Sequence, residues 1–245
     1  MSRWKAIVSY DGTNFLGYQV QASGRTVQQE IETVLKKMHK GLAVRIAASG
    51  RTDAGVHAIG QVIHWDSALT LASEAWKKAL NAMLPHDIHI EKVERVNDDF
   101  HARYGAVKKT YHYHLHIGSE PNVFNRHFAY HFPYPLALAP MREAMERLCG
   151  THDFTSFSSA RSTVEDKVRT IYSYEVQERG QELIFKVTGS GFLYNMVRIM
   201  TGTLLDVGQG RISPAAIDEM LLAKNREAAG KTAPAHGLYL YEVQY

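Results

Sequence analysis

Alternating and helical patterns succeed one another along the chain. In RWKAIVSY, Trp4, Ala6, Val8 and Tyr10 alternate with Lys5, Ile7 and Ser9, a period of two that predicts a strand. TVQQEIETVLKKMHK sets Val27, Ile31, Val34, Leu35 and Met38 on one apolar stripe, which predicts a helix. LAVRIAA and IGQVIHW read as strands on either side of a glycine-flanked loop. SEAWKKALNAML reads as a helix with Trp76, Leu80, Met83 and Leu84 on one side, Ser73 as N-cap and Pro85 as stop. IHIEKVERV alternates again, so the first part runs β-α-β-β-α-β.

The rest of the chain repeats that order. AVKKTYHYHLHI reads as a strand and APMREAMERLCG as a helix closing at Gly150. RTIYSYEVQERGQELIFKVTG reads as a hairpin turning near Arg179 and Gly180. GFLYNMVRIMTGTLLDVG predicts a helix with Leu193, Met196, Val197, Met200 and Leu204 in register. SPAAIDEMLLAKN predicts another, with Ser213 as N-cap and Pro214 at the first helical position. HGLYLYEVQY closes the pattern as a strand, and IGSEPNVFNRHFAYHFPYPL reads as an irregular surface excursion. The expectation is an α+β fold of two ferredoxin-like β-α-β-β-α-β halves. The first half spans 1–104 and the second 105–245, and the likeness between them is one of pattern, not of repeated sequence.

Composition narrows the classes. The 245 residues are 45% hydrophobic and 22% charged, as in an ordinary soluble globule. The single cysteine, Cys149, excludes a disulfide framework and any thiolate-rich zinc or iron–sulfur site. The N-terminal stretch has no apolar signal-peptide core, and no run approaches the roughly 20 apolar residues of a membrane span. The sequence therefore reads as soluble and cytoplasmic. A net charge of +3 tilts only weakly toward a polyanionic partner.

Candidate chemistry lies in the loops and strand ends. In SGRTDAGVHAIG, Asp53 is either a turn residue or a carboxylate held out for reaction. An aspartic-protease pair does not fit, because a second such carboxylate is missing. Arg51 offers a guanidinium fork for phosphate, and Gly50 and Gly55 allow close approach. In KKTYHYHLHI, Tyr111 and Tyr113 share one strand face, and His112, His114 and His116 the other. Three alternating histidines suit a metal only with further ligands, which the neighbourhood does not supply, so packed or solvated histidines are the plainer reading. Lys108 and Lys109 beside the tyrosines give a basic-plus-aromatic pattern that nucleic-acid surfaces use. Arg198, set among apolar neighbours, is either a surface residue or an inward charge that needs a carboxylate.

Taken in order, these segments resemble the tRNA pseudouridine synthase A family over essentially the whole chain. The matching stretches are YDGTNFLGYQVQ, TVQQEIETVL, SGRTDAGVHAIGQV, FHAR, KKTYHYHL, GTHDFTSF, RTI, GFLYNMVRIMTGTL and TAPAHGLYL. Tyr18 stands where the family's first motif has a tryptophan, and keeps an aromatic ring. The resemblance implies two ferredoxin-like halves joined into one mixed or antiparallel sheet with helices on one face, in a homodimer. It implies conversion of uridine to pseudouridine in the anticodon arm of tRNA, at positions 38, 39 and/or 40, with no cofactor. It assigns Asp53, Tyr111 and Arg198 as catalytic, with Arg198 the cation that keeps Asp53 ionised in a dry site. Arg51, Lys108, Lys109, Arg103 and Arg169 would meet RNA phosphates, and Leu240, or Leu238, would close the base pocket. Whether Asp53 attacks C1′, attacks C6 or takes a C2′ proton stays open. The competing readings are a non-catalytic RNA-binding module and a tRNA chaperone.

Overall fold

The computed structural model describes residues 1–245, with ten strands and five α-helices. In chain order these are β1 (Ser2–Tyr10), α1 (Val27–Met38), β2 (Ala47–Ala48), β3 (His57–Ser67), α2 (Ser73–Met83), β4 (Ile88–Val96), β5 (Lys108–His116) and β6 (Tyr130–His131). There follow α3 (Leu138–Leu148), β7 (Gly150–Asp153), β8 (Val168–Arg179), β9 (Glu182–Gly189), α4 (Met196–Gly208), α5 (Ala216–Ala223) and β10 (Leu238–Gln244). The chain divides into two compact units, Met1–Val107 with Tyr239–Tyr245, and Lys108–Leu238. No helix is long and apolar enough to cross a membrane.

In the first unit the strands run β4-β1-β3-β10, with β2 beside β3. β1 is antiparallel to both neighbours, and its register puts Trp4 opposite Trp65, Ala6 opposite Ile63 and Val8 opposite Gln61. That face is the core. α2 brings Trp76 to 5.8 Å from the Trp4 ring and 5.4 Å from the Trp65 ring, all three indoles being buried. Burial of such a ring contributes on the order of 3–5 kcal/mol, the usual cost of truncating a core aromatic. The Thr26 hydroxyl caps α1 by accepting from the Gln29 N–H, and His39, just past its end, stacks on Trp76 at 6.0 Å. Both helices thus cover one face of the sheet. The segment after β4 covers part of the other. There His64 Nδ1 accepts from the Ala102 N–H at 3.1 Å, and the Arg3 guanidinium donates to the carbonyls of Asp98 and Phe100.

In the second unit the strands run β5-β9-β8-β7, with β6 beside β5. β8 and β9 form the expected hairpin, and Gly180 at φ +60° supplies the left-handed turn residue. Tyr111, Tyr113 and Leu115 of β5 are buried, and so are His112 and His116 on its other face, so both faces of this strand are covered. α3 and α4 approach so closely that a Cβ on Gly208 would lie 2.5 Å from Met141 Sδ.

The α+β class expected from the sequence is the one observed, and the differences lie in particular elements. The closing strand does not extend the second unit. β10 pairs in parallel with β3, Tyr239 opposite His57 and Leu240 opposite Ala58, so the division falls at Val107 and Leu238 instead of at 104. The fourth strand of the run β5-β9-β8-β7 is β7, a short edge strand the pattern did not reveal. LAVRIAA shrinks to Ala47–Ala48, which pair with His64 and Ile63 of β3. α4 begins at Met196 because Asn195 sits at φ +62°, outside helical space, so Gly191–Asn195 is a loop. Ser73 is the first residue of α2, not its cap, and α5 starts two residues after Pro214.

Burial pulls the His64 imidazole down to about 4, helped by His101 and Arg3 and opposed by Asp66. Its folded value thus lies below the unfolded one of about 6.5, so the unfolded chain binds the extra proton between those limits. Folding stability should therefore fall as pH drops from about 6.5 towards 4, and protonation would also remove the acceptor of the Ala102 N–H. Urea unfolding midpoints at stepped pH should show this slope, and His64→Asn, which keeps an acceptor, should reduce it, leaving the part due to His112, which burial also pulls down to about 4.

Candidate active site

The loop between β2 and β3 carries Arg51 and Asp53, and it is fixed from below and from the side. Below it, Gln61 of β3 is wholly buried. Gln61 accepts from the Ser49 hydroxyl at 2.6 Å and donates to the Gly50 carbonyl at 2.9 Å. The Tyr10 hydroxyl meets the Thr52 hydroxyl at 2.8 Å. Burial pushes the Tyr10 phenol up to about 12, eased by the bonds to Thr52 and Gln61, so it stays protonated at neutral pH. The loop closes in a turn in which the Val56 N–H donates to the Asp53 carbonyl, with Gly55 at φ +76°.

From the side, residues 11–26 lie backbone against backbone on this loop. A Cβ on Gly12 would sit 2.0 Å from the Val56 carbonyl oxygen, and one on Gly17 2.9 Å from that of Thr52. Only glycine fits such an approach. The Tyr18 N–H donates to the Thr52 carbonyl at 3.0 Å, and the Gly12 N–H to His57 Nδ1 at 3.0 Å. Asp11 lies 3.2 Å from the same His57 nitrogen. Arg25 anchors the far end of this segment with two bonds to Asp87, and its guanidinium lies over the Phe15 ring. Within this scaffold Arg51 is exposed and Asp53 half-buried, where the sequence suggested a fully enclosed carboxylate. Asp53 sits in the turn itself, its carbonyl taken by the Val56 N–H.

Two more sequence candidates belong to this unit. Arg103 is exposed, with its guanidinium over the Tyr104 ring at 5.8 Å. Leu240 is wholly buried opposite Ala58, one strand from the end of the Asp53 loop.

In the second unit the candidates gather at one end of the sheet. Lys109 pairs with Gly189, which also pairs with Ile171, two residues after Arg169. Lys108 is exposed, its ammonium 5.2 Å from the Tyr172 ring centroid. The Arg169 guanidinium donates to the carbonyls of Asp166 and Val168. Tyr111 is buried and meets Phe192 edge-on at 5.1 Å. Arg198 lies in the first turn of α4, half-buried. Its guanidinium donates to the Ala233 carbonyl at 2.8 Å and to Asn195 Oδ1 at 2.9 Å. Gly202 lets the strap after residue 230 lie on α4, a Cβ there falling 1.7 Å from the Lys231 carbonyl. The Tyr113 hydroxyl donates to the Pro234 carbonyl, the one after that taken by Arg198, at 2.9 Å. Leu238, the other residue suggested for closing the base pocket, is buried at the end of this strap. His112 and His114 neighbour each other on one face of β5, their rings 6.3 Å apart, and the chain holds no cluster of three or more His, Cys, Asp or Glu fit for a metal.

The sequence reading missed Tyr10, Thr52, Gln61 and Asn195. One signal was present: Gln61 continues the inward-facing series of Trp65 and Ile63, and a polar group on a core face needs a partner.

The family described as "tRNA pseudouridine synthase" matches residues 6–105 and 144–245. The chain is 58% identical to "tRNA pseudouridine synthase A" of Exiguobacterium sp. over 245 residues, 100% of this chain and 98% of that one. It is 57% identical to the protein of that name from Geobacillus kaustophilus over 243 residues, 99% of this chain and 94% of that one. To "tRNA pseudouridine synthase A 1" of Bacillus cereus it is 55% identical over 245 residues, 100% of this chain and 99% of that one. The chain belongs to the tRNA pseudouridine synthase family and is an enzyme, an isomerase.

The close contact at Gly12 gives a direct test. Gly12→Ala should destabilise the protein by about 1–3 kcal/mol, the range for forcing an extra carbon into a packed site. The urea midpoint reads the loss, and turnover should fall with it because the Asp53 loop must move.

Proposed function

We propose that the chain converts uridine to pseudouridine in the anticodon arm of tRNA, at positions 38, 39 and/or 40, with Asp53 as its working carboxylate. The observation that carries this reading is the loop itself. Buried hydrogen bonds and two glycine contacts hold its backbone, while Arg51 and Asp53 keep access to solvent. A tip residue used only for turning would not require that much support.

The reaction breaks the N1–C1′ bond, turns the uracil and rejoins it through C5. The C5 proton leaves and N1 gains one, so nothing is oxidised and no group is lost. A carboxylate at the sugar carbon suits this, as in glycoside chemistry, where it attacks or stabilises an oxocarbenium-like centre. Water must be kept from that centre, or the base would be released instead of rejoined. The target base has to leave its stack to be reached. Tyr111, already ordered against Phe192, is a stacking surface for it, and its hydroxyl can move a proton. Arg198 is the cation for Asp53, its guanidinium oriented by Ala233 and Asn195. Leu240 packs under the base. Arg51, Arg103, Lys108, Lys109 and Arg169 meet phosphates of an A-form stem, which proteins read by shape. The working form is a cytoplasmic homodimer.

Asp53→Asn should lower turnover by roughly 10³-fold or more while tRNA binding persists. Tritium release from C5-labelled uridine in tRNA, beside a filter-binding assay, checks both. Turnover near wild type overturns the assignment. Tyr111→Phe should keep tRNA binding, since the ring remains. Its kcat decides the hydroxyl's part: a fall of about 10²-fold or more marks proton transfer, and an unchanged kcat marks stacking alone.

A further inference from the structure

We infer that Tyr10, Thr52 and Gln61 are positioning residues that set the direction in which Asp53 is presented. The inference rests on the reading of Asp53 above. It starts from the alternation of burial through the loop. Ser49 and Thr52 are buried, and both take part in the hydrogen bonds beneath it; Arg51 is exposed and Asp53 half-buried. The loop is thus pinned at Ser49, Gly50 and Thr52, immediately before Asp53.

Each pin is specific. Gln61 reads the loop twice, accepting from Ser49 and donating to the Gly50 carbonyl, so its amide has one usable orientation. It also approaches the Tyr10 oxygen at 3.5 Å, a weak contact. Tyr10 reaches Thr52 from β1, across the sheet. The Thr52 carbonyl is taken by the Tyr18 N–H, so both the side chain and the carbonyl of the residue before Asp53 are fixed. Misplacing a reacting group by about 1 Å can cost on the order of 10²-fold in rate. Rotation about the 52–53 linkage is the motion this clamp prevents.

Two near-isosteric substitutions delete the same bond from opposite ends: Tyr10→Phe and Thr52→Val. Each should lower kcat by about ten-fold or more, with KM for tRNA within about two-fold of wild type. The double variant should be no slower than the slower single, because the two act through one bond. Thr52→Ser, which restores the hydroxyl, should recover most of the kcat lost in Thr52→Val. A merely structural role predicts the reverse: lowered urea midpoints with kcat unchanged well below the midpoint. That result, or losses that add in the double variant, overturns the inference. Asp53→Asn is assayed alongside. If it stays active, the functional reading fails and the clamp has nothing to position; if it is dead while Tyr10→Phe and Thr52→Val turn over normally, the clamp alone fails.

Discussion

Where residue 12 passes residue 56, two backbones are closer than any side chain allows, and the first unit's candidate chemistry depends on that approach. Gly12 and Gly17 bring the 11–26 segment onto the Asp53 loop, and the freed amides bond to it from the side. A loop that carries a carboxylate for chemistry has to resist the solvation of its own backbone. Here its polar groups bond internally through Ser49, Gln61, Tyr10 and Tyr18, while Arg51 is exposed and Asp53 half-buried. Buried hydrogen bonds of this kind add little net stability each, but leaving one unmade is costly, so the set favours a single loop conformation.

The second unit solves a similar problem by similar means. Gly202 admits the Lys231 carbonyl onto α4, and the strap beyond it presents two consecutive carbonyls. Arg198 takes the first and Tyr113 the second. Two uncharged acceptors hold the guanidinium, Ala233 on one side and Asn195 on the other, the latter from a left-handed position just before the first residue of the helix. One residue thus stops α4 short of its expected start and aims its arginine.

Tyr18 is less well provided for. Its backbone holds the Thr52 carbonyl, yet its buried hydroxyl has no hydrogen-bond partner. A tryptophan, the residue of the related motif, would bring a different polar atom to the same ring site. The Tyr18 ring packs 6.4 Å from that of Tyr10.

Periodicity alone determined most of the elements: the alternation in β1 and β4, the stripes of α1 and α2, the β8–β9 hairpin, and the inward tyrosines of β5. Local sequence can do this because each pattern is a solvation preference repeated within a few residues. The motif order likewise marked Arg51, Asp53, Tyr111 and Arg198 as residues to watch. Tertiary structure decided what depends on partners far away in the chain. β10 leaves the half it follows because β3 has an open edge for it. LAVRIAA has the composition of a strand, yet only Ala47 and Ala48 find ladder partners, on β3. The loop that carries Asp53 is pinned by Tyr10 from β1 and Gln61 from β3, and Arg198 is oriented by a carbonyl 35 residues downstream. Hydrogen bonds and strand edges are satisfied by whatever the fold brings near, and a one-dimensional pattern carries no record of those neighbours.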